Sequence, residues 1–368
     1  MRLSCKTIVL FSVFWALVGC ASSSKTPAVV VTPTPPRPEP PAPVQVGENA
    51  KLEVLFATDR AIKDSANFGV ERGTLSFGVC RVNIPKIHKI GAVEAPGAWT
   101  LWNRSNPDEY ILVEETATAQ NNAFFGQIKS RLDLTRERSA LVYVHGYNVD
   151  FEEAATRAAQ LAFDLKFDGV SMFYSWPSQG EYSSYPVDET NVRWTQSHLE
   201  IFLEKLVREA GAKSIVLLAH SMGNRALMRV LMTLKQNNNG RVLNAIRNVV
   251  MVAPDVDADV FKREIGAIAE KSASRFTLYV SSEDNALKAS KSFHGYPRAG
   301  EKVLLIDGVE TIDATPISEG FLGHNYFAES RAIIEDIFAL LKYGKPADER
   351  FGLRAVDSPE GRFWKVRR

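Results

Sequence analysis

The sequence predicts an α/β protein in which a mainly parallel central sheet carries helices on both faces. Three observations predict it. Short apolar runs such as ALVYVH (140–145) and SIVLLAH (214–220) suit strands buried on both faces. Stretches with helical apolar spacing lie between such runs, as over 151–165 and 222–235. Strands joined by helices need right-handed crossovers, which set neighbouring strands parallel.

The elements follow in chain order. LEVLFA (52–57), TLSFGVCRVNI (74–84) and YILVEE (110–115) read as strands. After ALVYVH comes a helix from Phe151 to Leu165; Asp150 can cap it, and Glu153 completes a capping box. A strand over 170–176, a helix around 191–209, the strand SIVLLAH, a helix over 222–235 and a strand over 248–253 come next. RFTLYV (275–280) and KVLLID (302–307) read as further strands, and 326–343 as a last amphipathic helix.

Composition narrows the function classes. The 368 residues hold 44 Lys+Arg against 43 Asp+Glu, a net charge of +1. Such a balance lacks the basic excess of a nucleic-acid binder. Three cysteines do not make a disulfide scaffold. Cys80 sits in a strand-like run and reads as a buried, inert thiol. The six histidines form no His-x-x-x-His pair and no Gly-rich phosphate loop is present, so neither a metal nor another cofactor is expected.

The first residues read as a targeting segment. Arg2 and Lys6 flank an apolar run over 7–18. That run is short of the about 20 residues a spanning helix needs and suits a secretory signal. Leu17-Val18-Gly19-Cys20 resembles a bacterial lipobox. The resemblance implies cleavage before Cys20 and acylation of its thiol, which would anchor the chain to a membrane. Ala21 and Ser22 after Cys20 resemble an outer-membrane signal if the host is Gram-negative. The expectation is a lipid-anchored protein of the bacterial cell envelope. Residues 1–19 then form the signal peptide and 20–50 a lipidated linker. Eight of the 18 prolines fall within 26–46, which favours an extended spacer. Residues 51–344 read as the folded domain and 345–368 as a basic, solvated tail.

The chemistry centres on Ala219-His220-Ser221-Met222-Gly223, between a buried strand and a helix. This spacing fits the small-x-Ser-x-small turn of α/β-hydrolases, where the strand must reverse sharply into a helix. Bulky residues two before or two after the serine would clash. The turn strains the serine backbone and pushes the hydroxyl into the open. The alternative is a serine that merely caps a helix. A serine nucleophile needs a base and an oxyanion site. His145-Gly146-Tyr147 follows a strand upstream. The backbone N–H groups of Tyr147 and Met222 are the candidate oxyanion donors, with Tyr147 equally placed to line the pocket by its ring. His145 precedes the serine and reads as a shaper of that loop.

In this fold the acid and then the histidine follow the serine. His324, between strand 302–307 and the last helix, is the favoured base, and His294 the alternative. Asp284, after strand 275–280, is the favoured acid; Glu283 beside it and Asp255, one strand earlier, remain alternatives. Trp176-Pro177-Ser178 reads as a pocket wall or as a rigid turn over the sheet edge.

Together these residues resemble a bacterial α/β-hydrolase family known only as a domain of unknown function. The resemblance spans roughly 52–342. It rests on Ala57-Thr58-Asp59-Arg60, His145-Gly146-Tyr147-Asn148, Ser175-Trp176-Pro177-Ser178, the elbow at Ser221, Ala253-Pro254-Asp255, Ser281-Ser282 through Asp284, and His324. It implies a serine hydrolase with esterase or lipase-like chemistry on an acyl ester or related lipid. Arg60 is expected to sit in an internal ion pair. A catalytically idle hydrolase fold, used as an envelope binding or assembly module, is the alternative from another class.

Overall fold

The computed structural model describes residues 48–64, 67–96, 106–270, 272–317 and 326–367. The lipobox cysteine Cys20, the signal segment, most of the linker and His324 lie outside the described residues.

The chain opens with three antiparallel strands, β1 (Ala50–Ile62), β2 (Phe68–Ile84) and β3 (Leu112–Ala119), and a helix α1 (Asn121–Leu132). Then strands and helices alternate: β4 (Ser139–Val144), α2 (Phe151–Asp164), β5 (Val170–Ser175), α3 (Tyr185–Trp194), α4 (Gln196–Arg208) and β6 (Ser214–His220). α5 (Gly223–Gln236), α6 (Gly240–Ala245), β7 (Ile246–Val252), α7 (Ala258–Ala269), β8 (Arg275–Val280) and α8 (Asn285–His294) follow. The chain closes with β9 (Val309–Asp313), α9 (Tyr326–Glu329), α10 (Arg331–Tyr343), β10 (Leu353–Ser358) and β11 (Gly361–Val366).

These strands form one sheet in the order β10-β11-β9-β8-β7-β6-β4-β5-β1-β2-β3. Every pairing from β1 through β5, β4, β6, β7, β8 and β9 to β11 is parallel. Antiparallel strands finish both edges. The mainly parallel sheet read from the sequence is therefore present. Strand alternation sends Ile215, Leu217 and Ala219 of β6 into one core and Val216 and Leu218 into the other. Leu203 and Leu206 of α4 and Leu227 and Leu231 of α5 cover the first face; Ala155 and Leu161 of α2 and Ile334 and Ile337 of α10 cover the second. β6 is buried along its whole length, which is why it reads as an unbroken apolar run.

The capping box on α2 forms as its sequence predicts: Asp150 accepts from Glu153 N–H at 2.8 Å, and Glu153 accepts from Asp150 N–H at 3.0 Å. Four expectations need correction. The helix expected over 191–209 is two helices, α3 and α4, meeting at Thr195. Its hydroxyl is drawn to the buried carboxylate of Asp59 and lies 3.2 Å from Tyr174 Oη. The helix expected over 326–343 breaks at Ser330, whose backbone is extended. The apolar run 302–307 is not a strand. Val303, Leu304 and Ile306 pack irregularly on the first core, and the strand paired with β8 is β9, after a turn at Gly308 (φ +78°). Apolar runs report burial before they report geometry.

The expected solvated tail is the fourth correction. β10 and β11 form a hairpin, and β11 pairs parallel with β9. Arg350 roots it from a fully buried position, reaching Asp336 of α10 at 3.0 Å and Glu310 of β9 at 2.8 Å.

Candidate functional site

Parallel strands gather their C-terminal ends along one edge of the sheet, and loops there meet. Neighbouring ends carry His145-Gly146-Tyr147 after β4, Ser221 after β6, Ala253–Asp255 after β7 and Ser281–Asp284 after β8. Two strand spacings, about 10 Å, separate the ends of β6 and β8.

Ser221 takes φ +50°, between the last residue of β6 and the first turn of α5. Side chains with a β-carbon rarely hold that conformation, so the surroundings must impose it. They do so through hydrogen bonds. Ser221 N–H donates to Val252 O at 2.9 Å, while Asn224 N–H (3.1 Å) and Asp255 N–H (3.3 Å) donate to Ser221 O. The Asn224 amide spans the turn, donating to Ala219 O, Ser221 O and Val252 O, each at 3.2 Å. The small residues are needed because backbone passes close by. A β-carbon on Gly223 would collide with His145 O, and one on Gly146 would sit 2.9 Å from Ser221 Cβ. Ser221 itself is 2% exposed.

The segment after β4 therefore lies against the elbow. Neither the Tyr147 nor the Met222 backbone N–H has an acceptor among the described residues. His145 is fully buried. Its Nδ1 donates to Gly146 O (2.8 Å), its Nε2 accepts from Trp176 N–H (3.1 Å), and its ring stacks on Trp176 at 5.1 Å. Burial first, and Arg60 second, push its pKa down to about 3, so it stays neutral. Its role is to shape the loop. Trp176 is likewise fully buried, and its indole N–H donates to His145 O at 2.8 Å, so this stretch is a rigid turn and not a pocket wall.

Arg60 corrects a further expectation. It makes no ion pair within 4 Å among the described residues; its guanidinium donates to Ser175 Oγ (2.9 Å) and to the carbonyls of Gly69 (3.2 Å), Ser178 (2.9 Å) and Val149 (2.8 Å). Burial pushes its pKa down to about 10. It ties β1 to the turn after β5 and the loop after β4. Nothing in the sequence marks this, because its partners are mostly backbone carbonyls.

The acid candidates separate cleanly by environment. Asp284 is fully buried at the start of α8, where its carboxylate accepts from Leu287 N–H at 3.0 Å. Glu283 points outward, with 63% of its side chain exposed and Lys288 3.7 Å away. The Asp255 carboxylate is engaged on all sides: by Tyr185 Oη, Ser290 Oγ (2.6 Å), Arg298 Nε (2.9 Å) and Arg225 Nη2 (3.2 Å). Burial would raise its pKa, but Arg225 and Arg298 outweigh that and hold it below the usual range. Among the described residues it meets no histidine. His294 sets Nδ1 2.7 Å from Ser290 O and Nε2 2.9 Å from Glu189 Oε1. Both ring nitrogens are thus occupied by oxygens of Ser290 and Glu189. Asp255 and His294 belong to one network that braces α3 against α8.

Residues 120–342 match the family described as an alpha/beta hydrolase of unknown function (DUF900). The chain belongs to that family. Among solved structures, it is similar to a CIB-like hydrolase from Thermoplasma acidophilum at 14% identity, over 56% of this chain and 88% of that one, with a TM-score of 0.35. Lipase B of Aspergillus fumigatus matches at 10% identity, over 57% of this chain and 54% of that one (TM-score 0.37). An esterase of Rhizomucor miehei matches at 10% identity, over 80% and 84% of the two chains (TM-score 0.37). No curated protein matches significantly. As a member of this hydrolase family, the chain shares the family's fold, on which the elbow at Ser221 and the buried Asp284 stand two strands apart. Among the described residues, no group of His, Cys, Asp and Glu side chains is arranged to hold a metal ion, and no helix is long and apolar enough to cross a membrane.

Proposed function

We propose that this α/β hydrolase is a serine hydrolase that cleaves carboxylic esters through an acyl-enzyme. The observation that carries the reading is the strained Ser221, held at φ +50° with the glycine-bearing loop after β4 packed against it. Ser221 Oγ attacks the acyl carbonyl carbon as His324 takes its proton. The carbonyl oxygen gains negative charge beside the Tyr147 and Met222 N–H groups, and the positive end of α5 supports it. The intermediate collapses, His324 hands its proton to the departing alcohol, and water releases the acyl group by the same steps. Asp284 orients His324. Its burial and its place after β8 support that role, while the saturated Asp255 and the exposed Glu283 suit it less.

The same proposal places the enzyme on a membrane. Acylated Cys20 anchors it in the bacterial envelope, in the outer membrane of a Gram-negative host, and the Pro-rich linker over 20–50 holds the domain off the lipid. Residues 1–19 are the cleaved signal.

Steady-state hydrolysis of p-nitrophenyl esters tests the assignments. His324→Ala should lower kcat by about a thousandfold or more, as should Ser221→Ala. Asp284→Asn should cost a comparable factor and His294→Ala far less. A His294→Ala loss matching that of Ser221→Ala, with His324→Ala active, would overturn the choice of base. A well-folded wild type inert toward every ester would favour an idle binding module.

A further inference from the structure

A run of four aromatic rings passes the elbow at Tyr147 and reaches the surface on both sides. Gly146 lies so close to Ser221 that Tyr147 begins beside the nucleophile position. The Tyr147 ring meets Tyr182 at 6.4 Å and Tyr185 at 5.1 Å, and Tyr185 stacks on Phe293 at 6.3 Å with an interplanar angle of 19°. The two inner hydroxyls are already committed to protein. Tyr147 Oη donates to the carbonyls of Glu181 and Tyr182, and Tyr185 Oη to the Asp255 carboxylate. What these residues offer a ligand is therefore ring surface. The bond between His294 and Glu189 (2.9 Å) fixes α8 against α3 and so keeps Phe293 in line.

Both ends of the run stand in solvent: Tyr182 is 71% and Phe293 81% exposed. A phenylalanine left that open gains the fold little, and a contiguous apolar strip at the mouth of a site marks a ligand surface. We propose that the acyl arm of the substrate lies along Tyr182, Tyr147, Tyr185 and Phe293, which makes the enzyme select long acyl chains over acetyl. The proposal rests on the Ser221 reading and adds the substrate class. Both arms of an ester hang from the carbonyl carbon, so the acyl arm is isolated by holding the alcohol constant; a wild-type profile that responds to alcohol length and not to acyl length would overturn the proposal.

The test uses the full chain and a p-nitrophenyl ester series from acetate to decanoate. In wild type, kcat/KM should rise with chain length. In Phe293→Ser and Tyr182→Ser the octanoate-to-acetate ratio should fall about tenfold, the order expected for losing an aromatic contact. Calorimetric binding of octanoate, which needs no catalysis, should weaken by a similar factor. Octanoate binding that persists and depends on Phe293, in a chain whose Ser221 proves inert, would sink the nucleophile and keep the strip. A flat wild-type profile on an active Ser221 would sink the strip alone. Unchanged ratios in Phe293→Ser, with reduced binding to phosphatidylcholine vesicles, would make the patch a membrane contact and overturn the proposal.

Discussion

Ser221 holds a backbone conformation that costs of order 1–3 kcal/mol in a residue with a β-carbon. Its neighbours are chosen to keep it there, and single atoms decide the outcome. Gly146→Ala would press a methyl to 2.9 Å from both Ser221 Cβ and His220 Nδ1. A shift of the elbow by a fraction of an ångström should then cost about a hundredfold in kcat/KM while circular dichroism stays native. Wild-type activity in Gly146→Ala would show that the spacing is not needed. Gly223→Ala meets the His145 carbonyl, which belongs to rigid backbone, so its cost should appear in stability as well. At this scale the sequence was legible where chemistry imposes a residue type at fixed spacing, as at Ala219, Ser221 and Gly223. It suggested an ion pair for Arg60 and nothing for Asn224, because both work mainly by bonding backbone carbonyls that any sequence possesses. The network of Asp255 was equally hidden, since Arg225, Arg298, Tyr185 and Ser290 come from four separate stretches of chain.

Among the elements, the best predicted were those buried most completely. β6 and β8 have the bounds their apolar runs suggest. The C-terminal hairpin escaped because its partly exposed strands lack a strong alternation, and its anchor is a buried arginine. Arg350→Ala would leave the buried Asp336 with the Tyr279 hydroxyl but no cation, and Glu310 with Arg275 alone as its cation. A loss of about 3–5 kcal/mol in urea unfolding is expected. A change below 1 kcal/mol would mean the hairpin is held by its backbone pairing alone. A second element-scale tie is titratable. His88 lies between Glu94 (2.8 Å) and Asp164 (2.9 Å) and fixes the segment after β2 to α2. Burial opposes its charge, but hydrogen bonds to Asp164 and Glu94 outweigh burial and raise the pKa from 6.5 to about 9. A raised histidine pKa stabilises the fold fully below 6.5 and loses that contribution as pH climbs through 9. The amount is about 3 kcal/mol. Wild type should therefore lose more stability than His88→Gln between pH 6.5 and 9.5; parallel melting curves would refute the charge assignment.

Across the whole molecule, the parallel order of β4, β6, β7 and β8 does what no local pattern can, bringing residues 145–147, 221 and 284 to one edge. The sequence allowed that convergence to be expected only through the family's chain order, because topology is not written in any single stretch. The same limit applied to His294, whose contacts with Ser290 and Glu189 no single stretch of sequence shows. The proposed anchor belongs to this scale too. Cys20→Ser should move the protein from the membrane to the soluble fraction, and retention there without acylation would contradict the lipobox reading. The central claim is that Ser221 is the nucleophile. Reaction with a fluorophosphonate, followed by mass mapping of the modified peptide, tests it most directly. One phosphonyl adduct is expected, on Ser221, and it should vanish in Ser221→Ala; a folded protein that stays unmodified, or carries the adduct on another residue, would refute Ser221 as the nucleophile.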